Sequence, residues 1–375
     1  MHIHICAGLP RGYKALLNCP LIKPHTSRQT NQPTNPPPLR RKDKMSDSAS
    51  DGHISVDETA NDSAFDSVAE SEISTESLAS SIYEYRFENG RRYHAYKDGK
   101  YLAPNDEAEQ DRLDIFHHIN LLMLDGELLT APIPKDPQMI LDIGTGTGIW
   151  AIDAGEKYPS AKVIGTDLSP IQPNWVPPNV EFQIDDAEQE WTWPKNHFDL
   201  VHIRNLNGAI KDWNFLLKEA FRTTKPGGWV DITEYEFHLY SDDGTYHKDL
   251  GMYKYYNLVN KAADKSGRPF GIASHIAPIL EACGFEEIRV KMMKLPLGTW
   301  PADPKLKEIG AFFTLAAETG FEALGMAYLT RVLGMEVEDV NELLRKINGE
   351  IKNRKIHAYG KQYYYTARKP LNCDE

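Results

Sequence analysis

The sequence predicts an α/β fold: a mostly parallel, seven-stranded sheet with helices on both faces and an antiparallel strand at its edge. Three observations carry this. From residue 138 onward, short apolar runs alternate with amphipathic segments at helical spacing, the pattern of a parallel sheet covered by helices. The first run, MILDIG, is followed at once by glycines at every second position, Gly144, Gly146 and Gly148. Two strand-like segments, FEEIRVKMMKLPL and KIHAYGKQYYYTARK, close the alternation and suggest the antiparallel edge.

The elements follow in order. Residues 83–107 hold many tyrosines with Asn-Gly and Asp-Gly pairs, consistent with short strands joined by tight turns. Residues 107–124 read as an amphipathic helix, with Ile115, Ile119 and Leu122 at i, i+4 and i+7. Strands are expected at 138–143, 162–166, 180–184, 198–203 and 228–236. Helices are expected at 147–157 and 210–223, where Trp213, Leu216, Leu217 and Ala220 share a face. The stretch SPIQPNWVPPN, residues 169–179, holds four prolines and cannot carry a long helix. Pro226-Gly227-Gly228 reads as a turn before the fifth strand. Further helices at 246–265, 273–283, 304–325 and 336–354 form helical lid insertions whose aromatics suit a pocket or a core.

Composition marks the boundaries. Of 375 residues, 41% are hydrophobic and 26% charged, ordinary for a globular chain with a buried core. No apolar run approaches the roughly 20 residues of a membrane helix. The net charge of −12 argues against broad attraction to nucleic acid or anionic membrane. Four cysteines, none in a CxxC pair, give no disulfide framework and no metal site, and point to a cytoplasmic or nuclear compartment. Cys283 reads as a buried helix residue. Residues 1–44 carry eight Lys/Arg and one acid, and residues 45–82 carry nine Asp/Glu and no Lys/Arg. Neither stretch buries enough apolar surface to offset its ordering entropy. Residues 1–82 are therefore expected to be a disordered tail. The basic part fits a transit peptide, a nuclear signal (LRRKDK) or an upstream extension. The folded domain is expected over 83–375, with a cofactor-binding core at about 107–236 and a substrate lid with the final strands at about 237–369.

A strand, a glycine turn and a helix place backbone N–H groups near a ligand. Dinucleotide sites use G-x-G-x-x-G; here the third glycine comes one residue early. Asp142, two residues before the first glycine, would repel a pyrophosphate but suits a ligand bearing an ammonium and a sulfonium. Asp167 ends the second strand, where a carboxylate accepts from ribose hydroxyls. Asp186 follows the third strand, where it can accept from an adenine amine beside the Ala187 N–H. Asp185 is its neighbour in the turn.

The segments ILDIGTGTGIWAID, VIGTDLSPIQPNWVPPNVEFQIDDAEQEWTW, FDLVHIRNL and KPGGWVDITE resemble class I S-adenosylmethionine-dependent methyltransferases. More narrowly, the chain is similar to the fungal LaeA-like group, related to the secondary-metabolism regulator of the velvet complex. The resemblance covers residues 83–369 and implies a Rossmann-like fold with S-adenosylmethionine as cofactor. It implies that Asp142, Gly144, Thr145, Gly146 and Gly148 line the methionine part. Asp167 and Leu168 would hold the ribose and flank the adenine, and Asp186 and Ala187 would read the adenine edge.

Methyl transfer needs a nucleophile held in line with the sulfonium carbon and shielded from water. His202, Arg204 and Asn205 fall at the end of the fourth strand, and His117 and His118 on the preceding helix. His202 is a candidate base or a core histidine, and Arg204 a candidate for an acidic acceptor or a structural pair. Glu234 and Tyr235 are further lining candidates. No signature for planar amines and no metal-ligand cluster is present. The leading expectation is a methyltransferase acting on a small molecule of secondary metabolism. A nuclear regulator acting through protein partners is the alternative. A nicotinamide oxidoreductase is opposed by the glycine spacing.

Overall fold

The computed structural model describes residues 85–94 and 102–372; the expected tail over 1–82 and the Asp98-Gly99 turn lie outside them. A hairpin comes first, β1 (Tyr85–Glu88) and β2 (Arg91–His94), joined through Asn89 and Gly90. Both turn residues have positive φ, 50° and 78°, the mirror-image turn that Asn-Gly favours.

The main sheet holds β3 (Met139–Ile143), β4 (Lys162–Asp167), β5 (Val180–Ile184), β6 (Phe198–Arg204), β7 (Thr224–Tyr240), β8 (Glu286–Pro296) and β9 (Tyr359–Arg368). Their order is β5-β4-β3-β6-β7-β9-β8. The first five run parallel, and β9 pairs antiparallel with both β7 and β8. This is the seven-stranded, mostly parallel Rossmann-like sheet that the alternation predicts. The order reverses between β4-β3 and β6, the switch point where open α/β sheets bind ligands.

The helices are α1 (Glu107–Met123), α2 (Ile149–Lys157), α3 (Trp213–Thr223), α4 (Gly251–Ser266), α5 (Ile276–Ala282), α6 (Pro304–Ala327) and α7 (Val337–Glu350). Asp106 caps α1 by accepting from the Glu109 N–H. It also takes the Arg91 guanidinium at 2.6 and 2.9 Å, so one carboxylate ties the hairpin to the helix. Asp212 caps α3 and Asp303 caps α6 through N–H bonds of 3.1 and 2.8 Å. One sheet face packs on a core that includes Trp213, Leu217 and Leu280; the other packs on Trp150, Ala151 and Ala154 of α2.

Two details depart from expectation. Pro226-Gly227-Gly228 is an irregularity inside β7, not a turn before it: the register slips between Phe198 and Leu200, and Gly227 has φ +79°. The strand therefore starts four residues early and runs seventeen residues. The helix α6 also continues into a π-helical turn, Tyr328–Val332, which no local pattern announces. Cys283 is half-buried just past α5. Among the described residues no helix is long and apolar enough to cross a membrane, and no cluster of His, Cys, Asp or Glu could hold a metal.

Candidate functional site

A cavity open to solvent lies beyond the carboxyl ends of β3, β4, β5 and β6, under α1. Of the residues singled out in the sequence, Gly144, Thr145, Gly146, Asp167, Leu168, Asp185, Asp186, Ala187, His117, Arg204 and Asn205 line it. Asp142, Gly148, His202 and His118 do not.

The glycine loop shows why. Gly144, Gly146 and Gly148 all have positive φ, 68°, 59° and 80°, so each relieves backbone strain. Their surroundings differ. A Cβ on Gly144 would overlap the Leu206 side chain, and one on Gly148 would overlap the Phe182 ring. Gly148 opens α2 and is a packing glycine. A Cβ on Gly146 would meet only Leu113 Cδ1, at 3.5 Å.

Asp142 is 2% exposed and sits behind the loop. Its Oδ2 accepts from Thr145 Oγ1 at 2.6 Å and its Oδ1 from His202 Nδ1 at 2.7 Å. It holds the loop from below and does not itself line the cavity. His202 is likewise no cavity residue. It is 2% exposed and stacks on Trp150, with ring centroids 3.6 Å apart and planes 2° from parallel. Strand alternation puts it on the same face as Arg204, but two residues before the end of β6, under the loop and against α2, so of the two only Arg204 reaches the cavity.

Asp167 ends β4 on the cavity wall. Its Oδ2 accepts from the Gly146 N–H at 2.8 Å and its Oδ1 from the Ser169 N–H at 2.9 Å. Burial pushes its carboxyl up, and these two bonds oppose that. Each oxygen keeps a lone pair for a further donor. Beyond β5, Asp185 Oδ1 accepts from the Asp186 N–H, and Asp186 Oδ1 from the Glu188 N–H, at 2.8 and 3.1 Å. This acid-lined wall suits a polyol and an amine, and repels a pyrophosphate.

Opposite stands Arg204, whose Nη1 lies 3.1 Å from His117 Nδ1. His117 Nε2 lies 2.8 Å from Asp153 Oδ2 on α2. Burial lowers the basicity of both Arg204 and His117. His118 points elsewhere, edge-on to Phe312, and burial pulls its pKa down to about 4. Sequence reading missed Leu113 and Phe116, which cover the cavity from α1; their i, i+3 spacing beside His117 was the available signal.

A second, aromatic cavity adjoins the first, and the two share Leu113, Phe116 and Asn205 as walls. Its lining includes Glu234, Tyr235, Phe237, Phe270 and Tyr328. Asn205 has φ +56°, and its buried Oδ1 has no hydrogen-bond partner. Such an acceptor is costly unless a donor reaches it. Glu234 accepts from the Leu206 and Asn207 N–H groups at 2.7 and 3.2 Å, and burial pushes its pKa up to about 8. The folded chain thus holds a proton that the unfolded chain releases near 4.5. Stability is therefore expected to fall as pH rises from about 4.5 toward 8. Urea midpoints at pH 5 and 8 check this: the drop should be larger in the wild type than in Glu234→Gln. Equal drops would contradict it.

The sheet order, the glycine loop and the acids at successive strand ends define a nucleoside-binding α/β enzyme of the S-adenosylmethionine-dependent methyltransferase class. Residues 115–289 match the methyltransferase domain model. The chain is 40% identical over 301 residues to Methyltransferase pytC of Aspergillus terreus, covering 80% of this chain and 93% of that one. It is 39% identical over 289 residues to Secondary metabolism regulator LAE1 of Cochliobolus heterostrophus, covering 76% and 94%. To Secondary metabolism regulator laeA of Aspergillus flavus it is 36% identical over 303 residues, covering 80% and 81%. A solved phosphoethanolamine N-methyltransferase of Haemonchus contortus aligns at 18% identity and a TM-score of 0.44, over 81% of this chain and 75% of that one. The chain belongs to the methyltransferase-domain family that includes these fungal proteins, and its cofactor is S-adenosylmethionine.

Proposed function

We propose that this protein transfers the methyl group of S-adenosylmethionine to a small, largely apolar molecule seated in the aromatic cavity. The observation that carries the reading is the shared wall: Leu113, Phe116 and Asn205 border both cavities, so two ligands can meet there. When bound, the cofactor supplies an electrophilic methyl carbon. In the cofactor cavity, Asp186 and Ala187 would read the adenine edge, and Asp167 and Leu168 would hold the ribose. Gly144, Thr145 and Gly146 would border the aminoacyl arm, with Asp142 and Gly148 supporting the loop from behind.

The chain's own part is to bind, align and exclude water. The second cavity offers no free base. Glu234 already accepts two N–H groups, and Arg112 is forked onto Glu109 at 2.6 and 2.7 Å. Such a site suits an acceptor that is nucleophilic on arrival, a carboxylate among them.

The regulators among its relatives favour a second reading, in which the domain acts in the nucleus through protein partners. One experiment separates the two. Full-length protein is incubated with methyl-labelled S-adenosylmethionine and fungal extract. Label in the organic-soluble fraction supports the small-molecule reading. Label confined to protein, or none beside co-purified nuclear partners, supports the regulator and overturns it.

A further inference from the structure

Among the described residues, Arg204 is the one Lys or Arg lining the cofactor cavity. It ends β6. Its neighbour Ile203 pairs with Ile143, so Arg204 lies beside the glycine loop. The acids Asp185 and Asp186 follow β5, on the other side of β3 and β4. The cavity is therefore polarised: acidic at the β5 end, cationic at the β6 end.

The geometry also fixes a tautomer. A guanidinium only donates, so His117 Nδ1 must accept from Arg204 Nη1. The imidazole proton then sits on Nε2 and is donated to Asp153 Oδ2. Among the described residues, a neutral imidazole is thus the one hydrogen-bond partner of this guanidinium. The nearby carboxylates are engaged elsewhere: Asp142 with Thr145 and His202, Asp114 with Thr147, and Asp153 with His117. A half-buried cation that lines a cavity without an ion pair is still costly. It would also repel the ammonium and the sulfonium of the cofactor. The cofactor's one anionic group removes both penalties.

Resting on the cofactor reading above, we propose that Arg204 binds the carboxylate of the aminoacyl arm of S-adenosylmethionine. His117 and Asp153 are positioning residues that hold the guanidinium toward the glycine loop. Arg204 is then a cofactor anchor and not a contact for an acidic methyl acceptor.

The test is calorimetric titration of full-length protein with three ligands. S-adenosylmethionine carries the carboxylate, decarboxylated S-adenosylmethionine lacks only that group, and 5′-methylthioadenosine lacks the whole arm. The wild type should prefer the first over the second by roughly 10- to 100-fold. Arg204→Met should erase that preference and leave 5′-methylthioadenosine binding unchanged. Arg204→Lys should keep part of the preference. Asp153→Asn should weaken S-adenosylmethionine alone, by a smaller factor. Equal affinity of the wild type for the first two ligands would overturn the proposal, and this comparison needs no variant to fold. A uniform loss for all three ligands in Arg204→Met would overturn it too, making the residue structural. If the wild type binds none of the three, the cofactor reading fails, and the proposal with it.

Discussion

Replacing Asp167 with alanine is expected to weaken S-adenosylmethionine binding by roughly 100-fold or more. Two effects add. The carboxylate is the natural acceptor for two ribose hydroxyls at the end of β4, and charge-assisted bonds are the strong ones. It also takes the Gly146 N–H at 2.8 Å, so its loss frees the one loop glycine that no side chain crowds. Asp167→Asn keeps one oxygen acceptor and should fall between. Calorimetric titration reads the affinity, with 5′-methylthioadenosine as comparison. Because that ligand keeps the ribose, it should lose affinity in parallel. Full affinity in Asp167→Ala would contradict the assignment.

Asp142→Ala should act on the fold itself. Asp142, His202 and Asp231 are direct cross-strand neighbours on β3, β6 and β7, and each is at most 2% exposed. Asp142 binds His202 and Thr145. Asp231 Oδ2 accepts from the Thr130 and Ala131 N–H groups and from Thr130 Oγ1, at 2.6 to 2.9 Å. Between them His202 stacks on Trp150, whose Nε1 donates to the Leu128 carbonyl at 3.0 Å. Removing Asp142 strands a buried donor on His202 and releases Thr145. The expected loss is about 2–4 kcal/mol, between an unsatisfied buried donor and a broken buried ion pair. Urea unfolding followed by tryptophan fluorescence measures it. A loss no larger than that of a surface substitution would show that the row is not a structural support.

The elements that position the site were readable because each rests on local chemistry. An apolar run followed by alternating glycines marks strand, loop and helix wherever it occurs. Asp167 and Asp186 stand at strand ends that the alternation itself locates. Long-range geometry was not readable. Arg204 and His117 are 87 positions apart, and nothing near either residue announces their contact with Asp153. The roles of Asp142 and Gly148 turned on what fills the space beside them, His202 in one case and the Phe182 ring in the other. The slip in β7 also escaped the pattern, because Pro-Gly-Gly reads as a turn until a neighbouring strand shows it to be an interruption. The aromatic cavity draws on α1, β7, α6 and the π-helical turn, elements that only the tertiary fold brings together.

The most direct measurement is the structure of the full-length protein bound to S-adenosylhomocysteine. The account predicts adenine against Asp186 and Ala187, the ribose hydroxyls on Asp167, and the aminoacyl arm running past Gly146, with its sulfur facing the wall of Leu113, Phe116 and Asn205. A ligand bound in the opposite sense, or outside this cavity, would contradict it.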